Sequence, residues 1–440
     1  MFLPLSSLLA QGRDKAHTVA LRAGRDITFA ELRADVREAM RRLPPEPRVV
    51  LAAQDSYVFA VGLLALLHAG KTICLPQNQR PKTLEPLRRQ GYGMLIDGVG
   101  QAPQCHPEPF TRLDPGACDI VMFTSGSTGE PKEIRKTLAQ LQTEVAALDA
   151  VWGAALSGAT VLATVTHQHI YGMLFKILWP LGAGRPFVVD SFEYWEQLLP
   201  WLDGKTCVLS SPAHLTRYPD TFKAPCPPAM VFSSGGPLPF GAAQDCLHRL
   251  GTLPVEVFGS TETGGIAHRS QATEDQPWTR FDPVEVAAVD DILHVRSPYL
   301  TGDGWYPMND MVQFQPDGRF LLRGRNDRVA KIEGKRVSLP EVETCLTAHE
   351  WIDDAAVLVL DGRRRALGGV LVLNDAGQRH RQLLGDFRFG QRLRRDLGQR
   401  FESAALPRQW RVVQRMPQTA QGKRILADLT ALFAHEAADV

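Results

Sequence analysis

The chain has 440 residues, 44% hydrophobic and 22% charged, with a formal net charge of +1. This excludes wholesale disorder, and the length suits two or three domains. No apolar run reaches the ~18 residues that a membrane-spanning helix needs. Seven scattered cysteines, none paired as CxxC, favour reduced thiols in a cytoplasm over a disulfide framework or a zinc site.

The opening MFLPLSSLLAQGRDKAH has no basic stretch or small-residue cleavage site, so it reads as a surface or capping helix and not as a secretion signal. Residues 17–33 read as a strand, a turn at Gly24 and a helix opening at Thr28. Glu31 stands three positions on, which is capping-box spacing. Strand-like runs follow at Arg48–Ala53, Thr72–Leu75 and Gly93–Ile96, with helical pattern at Val58–Leu67 and Leu84–Arg89 between them. Strands continue at Cys118–Phe123, Ala159–Val165, Thr206–Leu209, Ala229–Phe232 and Val255–Phe258. Such alternation predicts an α/β domain of stacked, mainly parallel sheets with helices. Between Trp278 and Phe320, short segments broken by Gly, Asp and Pro predict an antiparallel meander or small barrel. After Arg325 comes a compact α+β unit. It has a glycine-turned hairpin, a helix near Leu339–His349, strands at Ala355–Leu360 and Gly369–Leu373, and an arginine-rich helix at Phe387–Arg400. The predicted domains are 1–325 and 326–440.

The segment Gly362–Arg424 holds fifteen Lys/Arg against four acids. A solvated arginine face and a docking surface for something anionic are both open readings. No nucleic-acid-binding module accompanies it.

The strongest local signal is Val121-Met122-Phe123-Thr124-Ser125-Gly126-Ser127-Thr128-Gly129-Glu130-Pro131-Lys132. An apolar strand ends in glycines, whose N–H groups can converge on an anion, in hydroxyl donors and in a lysine. These are the parts of a phosphate loop. Neither a Walker A motif nor a GxGxxG turn is present.

The segment resembles the phosphate loop of the adenylate-forming superfamily of acyl-CoA synthetases, peptide-synthetase adenylation domains and luciferases. Four further segments match that family in order. Ser234-Gly235-Gly236-Pro237-Leu238 is similar to its adenine-lining turn. Phe258-Gly259-Ser260-Thr261-Glu262-Thr263-Gly264 is similar to its YGxTE motif, with Phe in place of Tyr. The run from Gly324 to Val337 is similar to the hinge and first hairpin of a mobile C-terminal domain. Pro417–Lys423 is similar to its catalytic-lysine loop. The match covers Thr28 to Ile425. A glutamate, Glu133, follows the loop lysine where the family usually has glycine.

The resemblance implies an AMP-forming acid–thiol ligase using ATP and Mg²⁺. ATP would be held by Thr124, Ser125, Gly126, Ser127, Thr128, Gly129, Lys132, Ser234, Gly235, Gly236, Phe258, Gly259, Ser260, Thr261, Asp310 and Arg325. Thr261 would bond the α-phosphate, and Asp310 would accept from the ribose hydroxyls. Glu262 would be catalytic and hold the metal, and Lys423 would stabilise charge as the carboxylate attacks phosphorus. Asp327 would be the hinge, and the hairpin at Gly334 would shape a thiol tunnel.

The acid pocket falls on Val165-Thr166-His167-Gln168-His169-Ile170-Tyr171-Gly172, with His214, Gly264 and Gly265. Amino-acid-activating members carry an Asp in that stretch, and none is present here. His169 and Tyr171 suit a flat hydroxylated aryl acid such as a hydroxybenzoate. They also suit a role in gating the tunnel or filling the core, and an aliphatic acid stays open. The chain resembles short stand-alone aryl-acid ligases of aryl polyene-type pathways. The acceptor is then the phosphopantetheine thiol of an acyl carrier protein acting in trans, or free CoA. The competing readings are a catalytically silent binding protein, a phosphotransferase and an amino-acid-activating domain.

Overall fold

The computed structural model describes residues 2–76, 78–97, 109–125, 131–219, 221–332, 335–360, 365–403, 406–418 and 424–434. The chain divides into two compact units. One comprises Met1–Val286, Val295–Tyr306 and Gln315–Arg319; the other comprises Ala287–His294, Pro307–Phe314 and Phe320–Val440.

The first unit is built on two sheets. In the five-stranded sheet the order is Gly93–Ile96, Arg48–Ala52, Thr72–Leu75, Asp119–Ser125 and Pro131–Thr137. The first four strands are parallel, and the last two form an antiparallel hairpin. In the nine-stranded sheet the order is Thr279–Arg280, Gly264–Arg269, Val255–Ser260, Met230–Ser233, Thr206–Ser210, Thr160–Ala163, Phe187–Val188, Thr18–Arg22 and Arg25–Thr28. Its four neighbours from Val255–Ser260 to Thr160–Ala163 are all parallel. Such strands are covered on both faces and read as unbroken apolar runs. Thr206–Ser210 is buried at every position.

Local signals fix the helices around these sheets. Thr28 and Glu31 form the expected capping box at the start of helix Phe29–Arg41. Asp55 caps helix Ser56–His68 by accepting from Tyr57 and Val58 N–H. That helix is apolar on all sides, as befits one buried on all sides. It packs on strands Arg48–Ala52 and Thr72–Leu75 and on helix Phe29–Arg41. The opening helix Leu5–Gln11 is not a surface helix. Its Leu5, Leu8 and Leu9 share one face and are buried.

The meander appears as a four-stranded sheet in the order Glu285–Val289, Ile292–Arg296, Tyr306–Phe314 and Phe320–Arg325, the last two antiparallel. In the second unit an antiparallel pair, Val329–Ile332 with Lys335–Ser338, precedes helix Leu339–Thr347. A three-stranded sheet follows, ordered Ile352–Leu360, Ala366–Leu373 and Gln409–Val412. Val342, Leu346, Ala355, Val357, Leu371 and Leu393 form its core.

The arginine-rich helix differs from expectation. It runs Asp375–Leu397, starting twelve residues before Phe387, and Gly385 breaks it with φ 73 and ψ 157. Asn374 caps the first half by accepting from Gly377 N–H. The polar first half carries little apolar periodicity, so the sequence reading began at the second half. Among the described residues no helix is long and apolar enough to cross a membrane. The six described cysteines carry no disulfide.

Candidate active site

The parallel strands decide where the first unit gathers its polar groups. In an open α/β sheet, ligands bind beyond the carboxyl ends of the strands. Thr160–Ala163 leads to His169 and Tyr171, and Thr206–Ser210 leads to His214. Met230–Ser233 leads to Ser234, Gly235 and Gly236, and Val255–Ser260 leads to Thr261 and Glu262. Because these four strands share one direction, the segments emerge at one edge. The Ser234 hydroxyl donates to Val257 O at 2.8 Å, tying two of the strand ends together.

The hairpin of the five-stranded sheet meets this edge. Ile120, Val121 and Met122 are buried, and they carry the strand to Thr124 and Ser125, which pair with Lys132 and Pro131. Gly126, Ser127, Thr128 and Gly129 lie outside the described residues, as do the side chains of Thr124 and Ser125. Lys132 Nζ stands 3.3 Å from Glu262 Oε1. Burial pushes the Glu262 carboxyl up. Its own backbone amide, Lys132 and the Ser260 hydroxyl outweigh that and hold it below the usual carboxylate range. The turn itself is stapled by Ser260 and Thr263, whose hydroxyls lie 3.0 Å apart.

Two residues in this region escaped the sequence reading. Lys136 is buried, and its ammonium donates to the Glu262 carbonyl at 2.5 Å and to the Tyr299 carbonyl at 2.6 Å. It shares a strand face with Lys132 and Ile134, because side chains alternate along a strand. The hint in the sequence was apolar Ile134 two positions earlier, on the same strand face, which is buried. Glu144 is also buried and accepts from Gly265 N–H at 2.7 Å. Burial pushes its carboxyl up to about 7, against the pull of Gly265 N–H and the Lys136 charge. Its signal was a glutamate on the helix face of Leu141, Val145, Leu148 and Trp152. Gly264 and Gly265 begin the next strand and are buried. A Cβ on Gly264 would stand 2.7 Å from Glu144 Oε2 and 2.8 Å from Tyr299 Cδ2, and its φ is +68. Only glycine fits there. Phe258 packs against Trp278 with ring centroids 5.6 Å apart.

The two histidines of the acid-pocket segment part company. His167 is a core residue whose ring nitrogens face Ser56 Oγ at 3.0 Å and Ala53 O at 2.9 Å. Burial lowers it to about 4. His169 is half-buried at the start of helix Ile170–Gly172. The Tyr171 ring packs on Phe175 at 4.9 Å, and burial drives its phenol well above its ordinary value. His214 Nε2 lies 2.8 Å from Glu193 O, beside Trp195.

In the second unit, Asp310 is buried and pairs in register with Arg325, whose Nη1 lies 3.8 Å from its carboxylate. Asp327 lies in the turn Asn326–Arg328, with its side chain outside the described residues, as are Gly334 and Lys423. A bridge between Gln418 and Arg424 brackets residues 419–423. Arg424 is held by Asp354 at 2.8 Å and by Glu343 at 3.1 Å.

Among the described residues no group of three or more His, Cys, Asp or Glu is placed to hold a metal. Glu262 still fits Mg²⁺, which is commonly held by one or two carboxylates, substrate phosphates and water. The Glu262 carboxyl is kept ionised and is partly exposed.

The family of AMP-binding enzymes matches residues 74–291. The anthranilate–CoA ligase of Pseudomonas aeruginosa is 27% identical over 89% of this chain and 88% of its own length. The 4-coumarate–CoA ligase of Rhodobacter capsulatus is 26% identical over 69% of this chain and 74% of its own. ATP-bound MatB from Rhodopseudomonas palustris shares the fold, with a TM-score of 0.79 at 18% identity over 98% of this chain and 99% of its own. The chain belongs to the adenylate-forming superfamily of AMP-binding enzymes. Within it, the chain is an AMP-forming acid–thiol ligase.

Proposed function

We propose that the chain activates a hydroxylated aryl acid, such as a hydroxybenzoate, and passes it to the phosphopantetheine thiol of an acyl carrier protein. A carboxylate oxygen attacks the α-phosphorus of ATP, the bond to the β-phosphate oxygen breaks, and pyrophosphate leaves. The thiol sulfur, its proton lost to water, then attacks the acyl carbon, the bond from that carbon to the phosphate oxygen breaks, and AMP leaves with the bonding electrons. The observation that carries this reading is the convergence of four parallel strand ends, with Lys132 beside Glu262.

Each residue has a part in this reading. Residues 124–129 and Lys132 cradle the phosphates. Ser234–Gly236 and Phe258–Ser260 line the adenine, and Thr261 bonds the α-phosphate. Asp310 and Arg325 take the ribose. Glu262 holds Mg²⁺, which when bound shields phosphate charge. His169, Tyr171, His214, Gly264 and Gly265 surround the acid. Lys423 stabilises the charge that develops on the phosphoryl and leaving oxygens. The domains 1–325 and 326–440 turn about Asp327 between the two steps, and the hairpin at Gly334 replaces the lysine loop for thiol transfer. Lys423→Ala therefore loses adenylation by about 10²–10³ yet still transfers acyl from supplied acyl-AMP. Equal loss in both half-reactions rejects the assignment.

The aryl preference draws support from the aromatic acids named in both relatives. Those names also favour a second reading, transfer to free CoA. Exchange of labelled pyrophosphate into ATP, across hydroxybenzoates, benzoate, cinnamates, fatty acids and amino acids, tests the acid. A signal confined to fatty or amino acids rejects the aryl pocket.

A further inference from the structure

The kinked helix Asp375–Leu397 holds large apolar side chains in water. Leu383 is 81% exposed, Leu384 37% and Phe387 78%. All seven residues from Gln382 to Arg388 are exposed. This is not a loose end, because both halves of the helix are bolted to the second unit. In the first half, His380 stacks on Trp351 at 4.4 Å. Phe389, Leu393 and Leu397 bury the second half, and Phe389 stacks on the same tryptophan at 5.6 Å. The non-helical backbone at Gly385 turns the segment between them outward, in a conformation nearly reserved for glycine. Three exposed apolar side chains within five residues, flanked by charge, suit an interaction site.

The rim is basic. The helix carries six arginines and three aspartates. Asp386 is paired with Arg381 at 2.6 Å, and Asp396 with Arg392 at 3.0 Å. Arg379, Arg388 and Arg395 are exposed and form no ion pair among the described residues. This charge selects the occupant. A second copy would set arginine against arginine, which repels. A bilayer would have to take in Asp386, 76% exposed and lying between Leu384 and Phe387. An acidic protein surface presenting a shallow apolar notch meets neither objection. Three apolar side chains also suit a small, short-lived contact, as a partner that must leave after each turnover requires.

We propose that residues 379–395 form the docking knob for an acidic helical protein, the carrier that presents the phosphopantetheine thiol. The inference rests on the carrier-protein reading above. Leu383, Leu384 and Phe387 enter the partner's notch, and Arg379, Arg388 and Arg395 meet its carboxylates. Apolar contact supplies most of the affinity, and charge supplies approach and orientation.

The test uses the full chain, a phosphopantetheinylated acyl carrier protein and, in parallel, CoA. The variants are Leu383→Ser with Phe387→Ser, and Arg388→Glu with Arg395→Glu. Each pair raises KM for the carrier about tenfold. Pyrophosphate exchange and KM for CoA stay within about twofold, because these are exposed surface changes. Added salt weakens carrier loading by the wild type more than by the charge-reversed pair. An unchanged carrier KM in both variants overturns the knob and leaves the carrier reading standing. Normal exchange and CoA transfer with no carrier loaded by the wild type overturns the carrier reading, and the knob with it. Binding to phosphatidylglycerol vesicles that the Leu383/Phe387 pair abolishes, with carrier KM unchanged, assigns the surface to a membrane and rejects the proposal.

Discussion

At the Glu262 turn a lysine is buried, whereas at the Gly385 kink leucine and phenylalanine are held in water. Lys136 is 3% exposed, against 81% for Leu383. Each reverses the usual sorting of side chains, and such reversals are the informative observations in a fold. The two are offset differently. Around Lys136, two carbonyls and the charge of Glu144 compensate desolvation, so the anomaly is complete within the chain. Around Leu383 and Phe387 the described residues offer no such compensation, and the anomaly points outward to a partner.

Substitutions can break or sharpen this contrast. Lys136→Met leaves the Glu262 and Tyr299 carbonyls unpaired beside a buried carboxylate. It should cost about 3 kcal/mol by chemical denaturation and lower pyrophosphate exchange roughly 100-fold. Near-normal exchange in that variant would detach Lys136 from the placement of Glu262. Gly264→Ala should cost about 2 kcal/mol, since it meets Glu144 and Tyr299 and forces a positive φ on a side chain.

A smaller effect is read in pH. Glu144 is raised from an ordinary 4.5 to about 7, so between those values the folded chain keeps a proton that the unfolded chain has released. Its stabilising proton is fully present below 4.5 and is lost as pH rises through 7. Glu144→Gln should flatten that part of the Tm–pH curve, and an unchanged slope would show that Glu144 is not the group responsible. Smallest of all, Leu383→Gln should change stability by no more than about 0.5 kcal/mol, because its side chain is not buried in the fold. A larger loss would mean the knob serves the fold itself.

The same contrast explains what was legible beforehand. Alternating apolar runs disclosed the parallel sheets because doubly covered strands admit little else, and the Thr28–Glu31 spacing disclosed a helix start. The turns at Ser234–Gly236 and Thr261–Glu262 were legible because each follows a parallel strand end, where backbone geometry favours glycine and small hydroxyl residues. Lys136 was not, because in Pro131-Lys132-Glu133-Ile134-Arg135-Lys136 it looks like one more surface charge. Its inward direction depends on which face Ile134 occupies. Glu144 was hidden likewise, since a helix pattern registers its apolar members and passes over a carboxylate among them. The first half of the kinked helix was lost because its stability comes from Trp351 and Asn374, neither of which is part of its own periodicity.

The coupling of Lys136 and Glu144 bears on inheritance. Losing the lysine alone strands a buried carboxylate, and losing the carboxylate alone removes the charge that favours a buried ammonium. Single steps at either position are uphill, so drift should carry the two as one unit. In a randomised library selected for ligation, replacements at 136 should survive mainly alongside replacements at 144. The neighbouring, exposed position 133 should vary freely.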